Sequence, residues 1–213
     1  GLLIIMLPVT LRWRELFRGR GGGVGVVAYY AALGLGYMMA EIFLIQRLVF
    51  FLADPIFSNS IVITSMLVIS GLGSLYSSGF NENRRKIVRI AAAGITGSIL
   101  FYLFGLSPLL RLMLGMPLIV KMFSAVVFVA PAAFFLGMPF PTGLSALSEN
   151  REGLLPWAWG MNGALSVTGA VAARLLSVSF GFTVVLICVI MLYFSAVFFF
   201  PSNEKPRGLR RAD

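Results

Sequence analysis

Along this chain, polar and charged residues do not alternate with apolar ones at a helical or strand period. They come in short clusters that separate long apolar runs. Six runs are about 20 residues long, the length a helix needs to cross the hydrocarbon core of a bilayer. They extend from about Val24 to Phe51, Ser58 to Phe80, Ile87 to Leu106, Leu118 to Phe140, Leu155 to Val178 and Gly181 to Phe200. Each is apolar around its whole circumference, so no polar face separates a lipid side from a bundle side. The ten-residue alternating segments of a membrane β-barrel are not visible. Helices are therefore expected throughout, because lipid offers no partner for free backbone groups.

The separators fit this division. Ala53-Asp54-Pro55 breaks the chain after the first run, and Asn81 to Lys86 forms a charged turn after the second. Ser107 to Pro117 reads as a short interfacial piece between two prolines. Ser145 to Gly153 is a polar loop, and Gly181 marks a tight hairpin. The expected organisation is a linker over 1–23, a six-helix transmembrane domain over 24–200 and a basic tail over 201–213. Gly1 to Val9 is apolar but too short to span, and it leads directly into Arg12-Trp13-Arg14. A signal peptide has the reverse order of charge and apolar run. The segment reads as the end of a preceding span, and the chain as the C-terminal part of a longer protein.

Composition agrees with lipid as the outer solvent. Of the 213 residues, 59% are hydrophobic and 12% charged, with a mean hydropathy of +0.93. Soluble domains carry about a quarter charged residues, so this chain has too few to cover a water-exposed surface. The net charge of +9 would point to nucleic acid in a soluble protein, but here the basic residues form no continuous patch. Placing the Arg84 turn in the cytoplasm puts thirteen of the 17 Lys and Arg residues inside. Arg47, Arg111, Lys121 and Arg174 remain at or near the other face. This positive-inside bias alternates correctly at every loop and places both termini in the cytoplasm. An integral protein of a bacterial inner membrane is expected, with lipid and other transmembrane helices as partners and no nucleic acid.

Chemistry-bearing residues are few. The chain has no histidine and a single cysteine, Cys188, which excludes an internal disulfide, His-ligated haem and the usual zinc or copper sites. No cofactor motif is present, and no nucleophile–base pair suggests catalysis. Polar residues within spans are costly and are functional candidates by default. Glu41 lies near the middle of the first run, on one face with Gly34 and Tyr37, followed by Gln46 and Arg47. Glu41 reads either as a hydrogen-bonded lock between helices or as a cation or proton site. Arg47 is expected to snorkel or to pair with Asp54. Ser70, Ser74 and Ser78, with Gly71 and Gly73, form a small-residue face suited to close helix approach. Gly137-Met138-Pro139-Phe140-Pro141 is expected to end the fourth span with carbonyls freed by Pro139 and Pro141. Pro156-Trp157-Ala158-Trp159-Gly160-Met161-Asn162-Gly163 opens the fifth. The plain reading of that opening is an interfacial helix start. The sharper one is a broken-helix site, where Asn162 and freed carbonyls meet a substrate.

Taken together, the Gly34-to-Arg47 run, Gly71-Leu72-Gly73-Ser74, the Gly137-to-Pro141 motif and the Pro156-to-Gly163 motif resemble the C-terminal membrane region of spermidine synthase-like transmembrane proteins. In that family a cytoplasmic aminopropyltransferase-type domain is fused to helices that resemble half of a major facilitator transporter. The resemblance covers roughly residues 25–200 and implies an all-α, six-helix, transporter-like domain. The catalytic domain has no counterpart here, so no catalytic residue is carried over. Two functions follow as expectations. One is a transporter-like half that handles a cation or polyamine through Glu41 and Asn162, completed by a homodimer partner or by missing N-terminal spans. The other is a non-catalytic scaffold subunit of a larger membrane complex.

Overall fold

A computed structural model describes residues 23–79, 83–149 and 151–201. The apolar segment 1–9, the Arg12 to Arg20 stretch, part of the charged turn at Asn81 and the basic tail lie outside the described residues. The described chain is helical and contains no strand. Its elements are α1 (Gly23–Leu52), α2 (Pro55–Ser78), α3 (Arg84–Phe101), a π turn (Tyr102–Leu106), α4 (Ser107–Leu112), α5 (Leu118–Leu136), α6 (Pro139–Ser148), a 3-10 turn (Glu152–Leu154), α7 (Leu155–Phe180) and α8 (Phe182–Phe199). These compose six helical stretches long and apolar enough to cross a membrane: Gly23–Leu52, Pro55–Ser78, Arg84–Leu112, Leu118–Ser148, Glu152–Phe180 and Phe182–Phe199. Their number agrees with the six apolar runs, and the arrangement fits an integral membrane protein.

Two boundaries differ from expectation. The third stretch does not stop at Leu106 before an interfacial piece; α4 continues it to Leu112. Pro108 lacks an N–H and its ring crowds the carbonyl four residues back. The wider π turn directly before it absorbs that conflict without ending the helix. The fourth stretch likewise does not end at the Gly137-to-Pro141 motif. It breaks at Gly137 and Met138 and resumes as α6, with Pro139 in the first turn, where its missing N–H costs nothing. Ser145 to Ser148, expected in a loop, is the last turn of this segment.

Local chemistry explains the turns. Asp54 caps α2, its Oδ1 accepting from the Ile56 N–H (2.7 Å) and the Phe57 N–H (3.1 Å), as an N-cap carboxylate should. Gly181 takes φ 85° between α7 and α8, a left-handed conformation open to glycine at little cost. Pro131 interrupts the backbone ladder of α5. There the Tyr102 hydroxyl donates to the Phe128 carbonyl at 2.7 Å.

The helix α1 is the centre of the bundle and packs against α2, α5, α6, α7 and α8. Tyr29, Tyr30, Phe43, Leu44 and Leu48 on it are fully buried. Leu67 and Leu75 of α2, Phe123 of α5 and Phe198 of α8 lie exposed on the outside. The apolar exterior suits hydrocarbon rather than water.

A candidate cation site in the groove between α2 and α7

Three helix crossings fix the surroundings of Glu41. A Cβ at Gly34 would overlap the Asn162 carbonyl and stand 3.1 Å from the Ser166 Oγ, so α1 and α7 meet backbone to backbone. Across α2 and α5, Gly73 abuts the Phe134 carbonyl while Gly137 abuts the Ser70 carbonyl. Such close approach is what small residues permit in a membrane bundle. The third crossing is side chain to side chain. The Tyr37 hydroxyl on α1 stands 3.5 Å from the Ser70 Oγ on α2.

Glu41 falls between these directions. At 100° per residue it is turned about 40° from Tyr37, which reaches α2, and about 20° from Gly34, which abuts α7. Both α2 and α7 pack on α1 but barely on each other. The result is a groove over α1 between α2 and α7, in which Glu41 stands one turn beyond Tyr37 and its Ser70 contact and two turns, about 10 Å, beyond Gly34 and its Asn162 and Ser166 contacts. Tyr37, Glu41, Ser70, Asn162 and Ser166 are all half-buried, so the groove is open along its outer side. No described residue forms a hydrogen bond or ion pair with the Glu41 carboxylate. The Ser166 hydroxyl donates to the Asn162 carbonyl at 2.7 Å. The Asn162 side-chain amide has no partner among the described residues. A half-buried carboxylate without a partner among the described residues suits a cation, an ammonium group or a proton.

The remaining sequence candidates separate. Gln46 is half-buried toward the far end of α1. The Arg47 guanidinium does not pair with Asp54, whose carboxylate caps α2; it lies 4.7 Å from the centroid of the Phe182 ring, a cation–π placement. Gly73 and Gly137 are packing residues at the α2–α5 crossing, whereas Gly71, Gly160 and Gly163 have none of the described residues within 4 Å of a Cβ. Ser74 is half-buried, and its carbonyl accepts from the Ser77 hydroxyl at 2.8 Å. Pro141 is half-buried within α6. The Gly137-to-Pro141 break and the Pro156-to-Gly163 opening touch through the Phe140 and Trp159 rings, whose centroids are 4.9 Å apart, while Gly137 packs on α2 and Asn162 on α1. The Pro139 carbonyl is taken by the Tyr29 hydroxyl at 2.6 Å.

Two features had no clear signal in the sequence. Ser166 joins the groove because it lies one turn beyond Asn162. Arg84 makes a two-pronged ion pair with Glu149, one prong at 2.9 Å, and its guanidinium also donates to the Ser145 carbonyl at 3.2 Å. It thereby ties the start of α3 to the end of α6. The two residues are 65 positions apart, beyond any local pattern. Among the described residues no three or more of His, Cys, Asp and Glu cluster as a metal site would need. Comparison with known proteins finds no matching family model, no matching curated protein and no matching solved structure.

Proposed function

We propose that the chain is a transporter-like membrane half that binds a cation at Glu41, in a bacterial inner membrane with both termini cytoplasmic. The observation that carries this reading is a half-buried carboxylate in a membrane-length helix, one turn along α1 from the Tyr37 and Ser70 hydroxyls, with no hydrogen-bond or ion-pair partner among the described residues. An ionised side chain at the bilayer centre costs about 3 kcal/mol on insertion scales. A cation held by these oxygens would offset that cost. Such a half needs a second half opposite the groove to make an alternating-access pathway. The orientation is supported by the thirteen-to-four distribution of basic residues. No residue carries a catalytic role in this reading.

Flux into proteoliposomes tests it, with labelled spermidine, potassium and protons as separate probes. Wild type is expected to move at least one of them, Glu41→Gln to move it at least tenfold more slowly, and Glu41→Asp to retain part of the rate. Equal flux for wild type and Glu41→Gln would sink the assigned role of Glu41.

A second reading, a scaffold subunit, is favoured by a different observation: Gly71, Gly160 and Gly163 lie on helix faces that none of the described residues covers. It expects no flux of any probe and consistent recovery of the chain inside a hetero-complex in mild detergent.

A further inference from the structure

The end of the bundle that carries Asp54 and Gly181 is rich in cations and poor in acids. Arg47, Arg111, Lys121 and Arg174 lie within about two turns of it. Among the described residues Asp54 is the one acid there, and its carboxylate is engaged in capping α2. Two of the cations are held in place by rings. The Arg47 guanidinium stands 4.7 Å from the centroid of Phe182, the first residue of α8, and the Lys121 ammonium 5.8 Å from that of Phe51. Both are half-buried, whereas Arg111 and Arg174 are exposed.

The two held cations belong to one place. Arg47 and Phe51 project from α1 within about 40° of each other, one turn apart, and Lys121 rests on Phe51. The Tyr29 ring packs on Phe200 and Gly36 abuts Tyr193, so α8 runs antiparallel to α1. About eleven residues further along α1 and as many back along α8, Arg47 stands level with Phe182. The 18 residues of α8 rise about 27 Å, close to the ~30 Å thickness of the hydrocarbon core. A span of that length puts Arg47 at the hydrocarbon boundary, where headgroup phosphates begin. No described residue accepts a hydrogen bond from either side chain. The Arg47 Nε is enclosed without a partner, which leaves the terminal nitrogens as the donors it can offer. The surrounding turns are apolar: Phe50, Ile56, Leu112, Ile119, Val178 and Phe180 are all exposed.

We infer that Arg47 and Lys121 form a site for the phosphate of an anionic phospholipid, whose headgroup lies across this end of α1. A guanidinium presents paired donors to phosphate oxygens, and an ammonium adds a point charge. Contact with a ring steadies each cation but supplies no anion, and the phosphate completes the neutralisation. The exposed apolar turns select a lipid over free phosphate as its source, because they can pack against acyl and glycerol carbons. Two cations with no free acid beside them select an anionic headgroup over a zwitterionic one, whose own ammonium would meet like charge. The site lies about 9 Å along α1 from Glu41 and does not depend on the cation reading.

Native mass spectrometry of the full chain, purified in mild detergent, reads the site as bound adducts. The probes are a phosphatidylglycerol, a phosphatidylcholine with the same acyl chains, and inorganic phosphate. Wild type is expected to take up one phosphatidylglycerol, to bind phosphatidylcholine at least tenfold more weakly, and to take up no inorganic phosphate at the same concentrations. Arg47→Gln and Lys121→Gln should each weaken the phosphatidylglycerol adduct at least tenfold, with Arg47→Lys keeping part of it. The double variant should lose less than the product of the two single losses, since both cations serve one headgroup. Arg111→Gln and Arg174→Gln, on the exposed rim, should leave the adduct within twofold of wild type. Helix content by circular dichroism checks the folding of each variant. Unchanged adducts in Arg47→Gln and Lys121→Gln, equal losses in all four single Gln variants, or equal uptake of the two lipids would each overturn the proposal. So would inorganic phosphate binding as tightly as the lipid, which would mark a free-anion site instead.

Discussion

Replacing Gly137 by alanine tests the bundle at its tightest point. An ideal Cβ there would sit 2.6 Å from the Ser70 carbonyl carbon and 2.7 Å from its Cα, and closer still to the carbonyl oxygen. Carbon atoms in good contact stand about 3.5–4.0 Å apart, so the overlap is about 1 Å. The colliding atoms belong to the backbone of α2, and no rotamer change can move them aside. Relief requires α2 and α5 to separate, which also disturbs the reciprocal contact of Gly73 with Phe134. Overpacking of this kind costs about 1–3 kcal/mol. Gly97 on α3 provides the control, since none of the described residues lies within 4 Å of a Cβ there. Alanine at that helical position gains up to about 1 kcal/mol of propensity and meets no obstacle. In mild detergent, with melting followed by circular dichroism, Gly137→Ala is expected to melt roughly 2–12 °C below wild type, using about 2–4 °C per kcal/mol. Gly97→Ala should melt at or slightly above wild type. Equal melting temperatures for the two variants would refute the claim that backbone contact at this crossing holds the helices together.

Three further substitutions probe separate joints. Asp54→Ala removes the N-cap of α2 and should cost about 1 kcal/mol, with Asp54→Asn recovering most of it in the same melting assay. Tyr102→Phe takes away the hydroxyl that serves the Phe128 carbonyl beside Pro131; a loss of about 1 kcal/mol is expected, along with faster amide exchange around Phe128. Arg84→Gln breaks the ion pair with Glu149, whose side chain is 50% exposed. The stability loss should stay near 1 kcal/mol because solvent screens that partner. Protease cleavage in the 145–153 region should nevertheless rise, as the end of α6 loses its tie to α3.

The six spans were legible in the sequence because their cause is local: each needs a run of apolar residues of membrane length, and a charge or Asp-Pro cluster ends it. Proline misled the reading where its effect depends on neighbours. Pro108 and Pro139 read as terminators, yet one follows a π turn and the other opens a new helical segment. Helix contacts were not legible, because spans that are apolar all round carry no periodic mark of their inner face. Gly73, Gly71 and Gly163 are alike in sequence terms. Only the fold separates the first, pressed against Phe134, from the other two, which face away from the chain.

The candidate site divides in the same way. Tyr37 and Glu41 were found together because they lie four residues apart on one helix, a spacing that fixes a shared face. Asn162 was found by its type, a costly polar residue within an apolar run. Its relation to Glu41 depends on Gly34, whose missing side chain lets α7 lie directly on α1. That glycine seats the Asn162 turn on α1 two turns before the carboxylate, while Ser70 approaches through Tyr37 one turn before it. A larger residue at Gly34 should therefore act at a distance. Gly34→Val would push α7 off α1 and widen the groove without touching Glu41, so it should weaken cation binding by the same route as loss of Asn162. The groove is thus built by packing residues as much as by polar ones. A reading that sorts residues into packing and binding classes in advance would miss that Gly34 belongs to both.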